Sequence, residues 1–139
     1  MLNIPIVLTE QYQKGLGPTV AEIKEQLPSY QPIEKLTFNC CEEPNFLNKI
    51  KKLNKKTIIL TGMEAHICVL QTCIGLLNER YNVHLVRDAV CSRAKENRKT
   101  AIEFMRDAGA VVTCTETVLF QLLKVAGTEE FKTISKRIK

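Results

Sequence analysis

No tryptophan occurs in this chain, and aromatic residues make up only 6% of its 139 residues. A surface that stacks nucleic-acid bases needs aromatics interleaved with basic groups, so this scarcity argues against nucleic acid as a partner. No apolar run approaches the ~20 residues that cross a bilayer, so no membrane partner is expected. The start, Met1-Leu2-Asn3-Ile4-Pro5, has neither the basic flank nor the long apolar core of a secretory signal. The expected location is therefore cytoplasmic. No two cysteines have C-x-x-C spacing, which argues against a zinc ribbon or a thioredoxin-type dithiol. Two isolated histidines, His66 and His84, do not make a metal site. Only two aspartates are present, Asp88 and Asp107.

What is present describes a globular protein. Hydrophobic residues make up 45% and charged residues 25%, and 139 residues suit one domain with one core. The net charge is +5, with much of the excess at Lys49, Lys51, Lys52, Lys55 and Lys56 and near the end at Lys132, Lys136, Arg137 and Lys139. Such runs are read as solvated helix faces. The six cysteines (Cys40, Cys41, Cys68, Cys73, Cys91 and Cys114) are expected to be reduced.

Along the chain, Ile4–Thr9 is an apolar, β-rich run read as a buried strand. Glu10–Pro18 holds two glycines and a proline and is read as a loop. Thr19-Val20-Ala21-Glu22 matches a capping box that opens a short helix ending before Pro28. Leu36-Thr37-Phe38 is strand-like, and Pro44 suits the first turn of a helix continuing to about Leu53. Thr57–Thr61 is a clear strand, followed by a helix over Ala65–Arg80 with Asn82 as its left-handed stop. Val83–Arg87 is a strand ending at Asp88. Ser92 is expected to cap a helix running to Ala108 and closed by Gly109. Ala110–Cys114 is a further strand, with two final helices over Glu116–Val125 and Glu129–Ile138. Strands alternating with helices of this length predict a three-layer α/β fold, a doubly wound parallel sheet with helices on both faces.

Cys68 stands out. The run Thr57–Val69 reads as a strand, a glycine, a tight turn and then a cysteine near the start of a helix. Unpaired N–H groups and the positive helix end favour a thiolate there, and thiolate is the nucleophile. The crossing also puts the sulfur at the carboxyl edge of a sheet, where open α/β folds bind ligands. The competing reading is a buried, inert cysteine, since free cysteine is among the most buried residue types.

The segment Gly62-Met63-Glu64-Ala65-His66-Ile67-Cys68-Val69 resembles the isochorismatase-like cysteine hydrolases. So does Asp88-Ala89-Val90-Cys91-Ser92-Arg93 after the next strand. Thr9-Glu10-Gln11-Tyr12, Gly15-Leu16-Gly17-Pro18-Thr19, and Lys35 with Phe38 narrow the likeness to the isochorismatase domain-containing proteins. The resemblance runs from Ile4 to about Leu123. It implies an Asp–Lys–Cys triad in which Cys68 is the nucleophile and Lys35 the lysine. An ammonium beside a thiolate lowers its pKa and can steer an anion. It also implies a cis peptide at Met63–Glu64, with the turn through Ile67 aiming N–H groups at an oxyanion. Gln11, Tyr12, Leu16, Phe38 and His66 become candidates for lining a small mixed pocket. Asp88 becomes a turn former or a support behind the site. The implied activity is hydrolysis of a small amide, ester or vinyl-ether-type substrate through a Cys68 adduct. Neither an organic cofactor nor a metal is implied, and assembly into a homo-oligomer is.

One triad member has no match. The family's base is an Asp ending its first strand, and neither Asp88 nor Asp107 occupies that slot. Ile4–Thr9 matches the family's second strand, so a first β–α unit of roughly 30 residues is not found. Such a unit supplies a central strand, and its neighbours are expected to carry unpaired edges. Three explanations stay open: a fragment, a strand supplied by another chain, or an inactive relative serving as a scaffold.

Overall fold

The computed structural model describes residues 2–138 and is an α/β protein of parallel strands with helices on both faces. Strands β1 (Thr9–Gln11) and β2 (Ile33–Lys35) form one parallel pair, with Gln11 opposite Lys35. Strands β3 (Thr57–Met63), β4 (Asn82–Cys91) and β5 (Val111–Thr113) form a second parallel sheet in that order. Single helical turns α1 (Gln13–Leu16) and α2 (Ala21–Lys24) lie between β1 and β2. Between β2 and β3 runs α3 (Pro44–Lys52), after a 3₁₀ turn at Cys40–Glu42. A π-helical turn at Ala65–Val69 leads into α4 (Leu70–Asn78). The helices α5 (Lys95–Asp107), α6 (Thr115–Leu123) and α7 (Glu129–Arg137) complete the chain.

The core sits between the three-stranded sheet and the helices. Val83 and Leu85 of β4 pack in one apolar cluster with Val69, Cys73 and Leu76 of the helical segment and with Met105 of α5. Leu76, Leu85, Met105 and Cys73 have no solvent exposure. At Gly75 a Cβ would come within 2.6 Å of Asn39 Oδ1 and 3.0 Å of Cys41 Cβ. The glycine thus lets α4 lie directly on the 3₁₀ turn that follows β2. That contact ties the smaller sheet to the larger body, and Thr72 adds a hydroxyl that accepts the Cys40 N–H at 3.0 Å.

The two sheets do not pair with each other. A cleft of about 430 Å³ lies between Ile4–Thr9 and β3, lined by side chains including Ile6, Val7, Phe46, Ile50, Ile58 and Leu60. Among the described residues β3 is therefore an edge strand, although its Ile58-Ile59-Leu60 centre is apolar on both faces. The ladder of the expected strand Ile4–Thr9 begins only at Thr9, because Ile4–Val7 has no strand neighbour among the described residues.

Several local expectations give way to tertiary contacts. Thr19 does not cap α2; Val20 stands at the cap, while the Thr19 N–H and hydroxyl both donate to Glu10. The short second strand lies at Ile33–Lys35, not at Leu36–Phe38, since only β2 faces β1. β4 does not stop at Asp88 but runs to Cys91, following β3 through a register shift between Leu60 and Gly62. The left-handed stop after α4 is Arg80, at φ 63°, while Asn82 begins β4. Ser92 does not cap α5, whose cap position is Ala94. Among the described residues, no helix is long and apolar enough to cross a membrane.

Candidate active site

Three elements meet at the carboxyl ends of β1, β2 and β3. β1 brings Gln11, β2 brings Lys35, and the turn after β3 brings Cys68. The Lys35 ammonium is buried, at 5% exposure. It donates to Gln11 Oε1 at 2.5 Å, to the Thr37 carbonyl at 2.9 Å and to the Phe38 carbonyl at 3.2 Å. The chain after β2 thus curls around its own lysine, which explains why Leu36–Phe38 is not a strand. The Cys68 thiol points at the same Gln11 oxygen, at 3.8 Å. The sequence-derived nucleophile and lysine are therefore brought to one point.

Cys68 does not occupy the first turn of an α-helix. It is the fourth residue of the π-helical turn, in which the Ile67 and Val69 N–H groups both donate to the Glu64 carbonyl, at 3.1 and 3.2 Å. The Ile67 N–H expected to face an oxyanion is thus used inside the turn. Burial pushes the Cys68 thiol up, and the Lys35 ammonium and the Glu64 backbone pull it down without cancelling the rise. The expected bias toward thiolate is reversed in the resting site, because burial disfavours the charged form.

The Met63–Glu64 peptide is cis, the bond at which the family resemblance places one. Met63 itself is exposed. The Glu64 carboxylate accepts the Arg93 N–H at 3.0 Å and pairs with the Arg93 guanidinium at 3.7 Å. His66 Nδ1 lies 2.9 Å from Ser92 Oγ. Both contacts fasten the Cys68 turn to the end of β4. Tyr12, Leu16 and Phe38 are exposed, and the Tyr12 N–H donates to the Lys35 carbonyl at 3.0 Å. Asp88 accepts the Thr115 N–H at 2.8 Å and its hydroxyl at 3.1 Å, so its role is to join β4 to the start of α6.

Composition and spacing gave no sign of Glu10 as a structural centre. It is 5% exposed, and no ion pair reaches it among the described residues. Its Oε1 accepts the Thr19 N–H, the Thr19 hydroxyl and the Tyr30 hydroxyl, and its Oε2 accepts the Gln13 amide. Lys24 lies over the Tyr30 ring at 4.3 Å. One carboxylate thus folds residues 12–30 beside Gln11. The only hint in the sequence was a Glu directly after an apolar run, where a charge belongs to solvent unless it has partners.

Burial raises the Glu10 carboxyl, but the donors from Thr19, Tyr30 and Gln13 outweigh it and hold it below its usual 4.5. A depressed folded-state value means stability that is complete above the unfolded pKa and lost as pH falls through the folded one. Glu10→Gln is therefore expected to melt below wild type at pH 7, with the gap closing below about pH 4.5. Urea titrations at the two pH values check this; a gap that widens in acid would contradict it.

All six cysteines are free thiols. Burial pushes Cys41 up to about 12 and Cys73 up to about 11. The Thr117 hydroxyl and N–H lower Cys114 at the start of α6. Cys114 is thus a partly exposed thiol that competes with Cys68 for alkylating reagents. Among the described residues, no three His, Cys, Asp or Glu side chains cluster as a metal site would require.

Residues 1–117 match the isochorismatase domain model. The chain is 42% identical over 145 residues to a secreted isochorismatase effector, Isc1, of Phytophthora sojae, a match covering all of this chain and 68% of that protein. Among solved structures it is similar to the Mar1 ribonuclease of Caenorhabditis elegans. That match has a TM-score of 0.87 and 42% identity, covering 96% of this chain and 68% of the other. It is also similar to YcaC from Pseudomonas aeruginosa, solved with hexane-2,5-diol and covalent acrylamide. There the TM-score is 0.88 at 29% identity, covering 95% and 67%. The chain spans about two thirds of the length of each of these proteins. The domain model over residues 1–117, together with a sequence relative and a fold matched over nearly the whole chain, places this chain in the isochorismatase family.

Proposed function

We propose that this chain carries a cysteine hydrolase site for a small amide, ester or vinyl-ether-type substrate. The convergence of Cys68 and Lys35 on Gln11 Oε1 carries the reading. For an ester, the sulfur bonds to the carbonyl carbon while the alcohol leaves with the thiol proton. Water then cleaves the thioester and restores the thiol. Lys35, buried and cationic, stabilises the charge on the carbonyl oxygen. The YcaC structure with covalent acrylamide supports the presence of a reactive nucleophile in that relative. The solved nematode relative is described as a ribonuclease. In this chain Phe46, the aromatic among the α3 lysines, is buried and offers no stacking face, which supports the small-molecule reading.

A second reading, an inactive member serving as a scaffold, is favoured by one observation. Among the described residues no carboxylate is hydrogen-bonded to the Cys68 thiol; Asp88 accepts the Thr115 N–H and Asp107 ends α5. One experiment separates the two. Protein carrying Cys114→Ser is incubated with p-nitrophenyl acetate and its peptides are weighed. A hydroxylamine-sensitive acetyl group on Cys68, formed faster than on any other thiol and more slowly after Lys35→Met, is expected. Acetylation of Cys68 no faster than of the buried Cys73 would sink the hydrolase reading.

A further inference from the structure

Gln11 has a defined orientation that bears on how the site works. Its amide nitrogen donates to the Leu36 carbonyl at 2.7 Å. The reversed amide would set an oxygen against that carbonyl and an NH₂ against the Lys35 ammonium, so Oε1 must face inward. This oxygen is then one of three acceptors for the three N–H groups of Lys35, the others being the Thr37 and Phe38 carbonyls. Every ammonium donor is taken, and none is left for the sulfur. The same oxygen is the acceptor for the Cys68 S–H. Around Cys68 the other charged or titratable groups are Lys35, Cys40 and Glu64, and the Glu64 carboxylate is tied to Arg93.

We propose that Gln11 is a positioning residue that holds Lys35 and Cys68 to one oxygen and thereby limits how far the lysine charge serves the sulfur. The inference rests on the reading of Cys68 as nucleophile but concerns a separate property, the coupling of thiol and ammonium. In the resting site Oε1 welcomes the thiol proton and opposes the bare thiolate. When the sulfur bonds to a carbonyl carbon, the S–H is gone and this contact is lost. Lys35 can then turn one N–H from Gln11 to the new oxyanion without moving its backbone. The glutamine is therefore a latch that opens as the adduct forms.

The test follows thiolate formation at Cys68, read as the pH dependence of its iodoacetamide alkylation by peptide mass spectrometry in the Cys114→Ser protein. Gln11→Ala frees an ammonium donor and removes the thiol acceptor. The midpoint is expected to fall, with alkylation near neutral pH about tenfold faster. Gln11→Glu keeps the shape, binds Lys35 more tightly and repels the thiolate, so the midpoint is expected to rise and alkylation to slow about tenfold. In a Lys35→Met background the Gln11→Ala gain should shrink to about twofold, the part owed to the lost thiol acceptor alone.

Opposite shifts for alanine and glutamate, with the alanine gain reduced to about twofold without Lys35, would support the latch. Shifts in one direction for both, or none, would overturn it, and so would a full tenfold gain that persists without Lys35. A structural role alone would lower the melting temperature of both variants without separating their pH profiles. The two proposals fail independently. Ordered shifts with no ester adduct leave the coupling of thiol and ammonium through Gln11 standing and remove the hydrolase, whereas an adduct without shifts does the reverse.

Discussion

Cys68→Ala is expected to lower ester hydrolysis by the chain roughly 10³-fold or more, the size of effect seen when a nucleophile is removed. The reasoning is local. Among the described residues Cys68 supplies the one sulfur hydrogen-bonded to the oxygen that also holds Lys35, so no other thiol is placed to replace it. The cost to the fold is small, because the substitution removes one partly exposed side chain and one 3.8 Å contact. Circular dichroism and melting should therefore match wild type while turnover vanishes. Cys68→Ser should be nearly as poor, since its hydroxyl ionises far less readily than a thiol. Wild-type activity should climb with pH through the neutral range, with a slope of about 1 in the logarithm of the rate, because only the thiolate attacks. Burial holds the thiol above its ordinary 9.0, so no plateau is expected near neutrality. Steady-state rates for the three proteins across pH give the check, and hydrolysis by Cys68→Ala at the wild-type rate would remove Cys68 from the mechanism.

Leu85→Ala is expected to destabilise the fold by about 3–5 kcal/mol. Leu85 has no exposure and lies in β4, the central strand of the larger sheet, opposite Leu60 on one side and Val112 on the other. Strands fix the backbone on both flanks, so the cavity left by the missing atoms has little room to collapse. A domain of this size has only about 5–15 kcal/mol in total, so the loss removes a large share of its stability. With a denaturant slope of about 2 kcal/mol per molar urea, the midpoint should drop by roughly 1.5–2.5 M. Leu36→Ala provides the contrast. Leu36 is 75% exposed, and its change should stay within about 0.5 kcal/mol.

The elements that were legible in the sequence are those whose signals are local. Pro44 marks the first turn of α3, the β-branched run beginning at Thr57 marks β3, and Gly109, at φ 110°, follows α5. Glu129 opens α7 as expected. The features that depart from local pattern depend on partners distant in the chain. Thr19 has the spacing of a capping residue, but a buried carboxylate nine residues earlier takes both of its donors. Asn82 has the composition of a helix stop, but it pairs in register with Thr57. The strand character of Ile4–Thr9 was readable, whereas its ladder was not, since pairing requires a neighbour.

The site divides in the same way. Cys68 could be placed at a strand-to-helix turn by pattern alone. Lys35 came only through family resemblance, because nothing in its own neighbourhood distinguishes it from a surface lysine beside Glu34. Its burial arises from three acceptors, two of them backbone carbonyls just downstream. The direction of the Cys68 shift differs from the expectation for a related reason. Helix-end effects can be anticipated from position, but burial depends on the whole surrounding structure.

The cleft beside β3 has a consequence for hydrogen exchange. Successive N–H groups along a strand point to alternate sides, so every second amide of β3 up to the shift after Leu60 meets β4, and the others meet the cleft. A strand hydrogen-bonded on both sides protects all its amides alike. In β3, deuterium uptake should instead fall into two classes of period two, slow toward β4 and fast toward the cleft. An edge should thus be detectable amide by amide in a strand whose Ile58, Ile59 and Leu60 have the composition of an interior one.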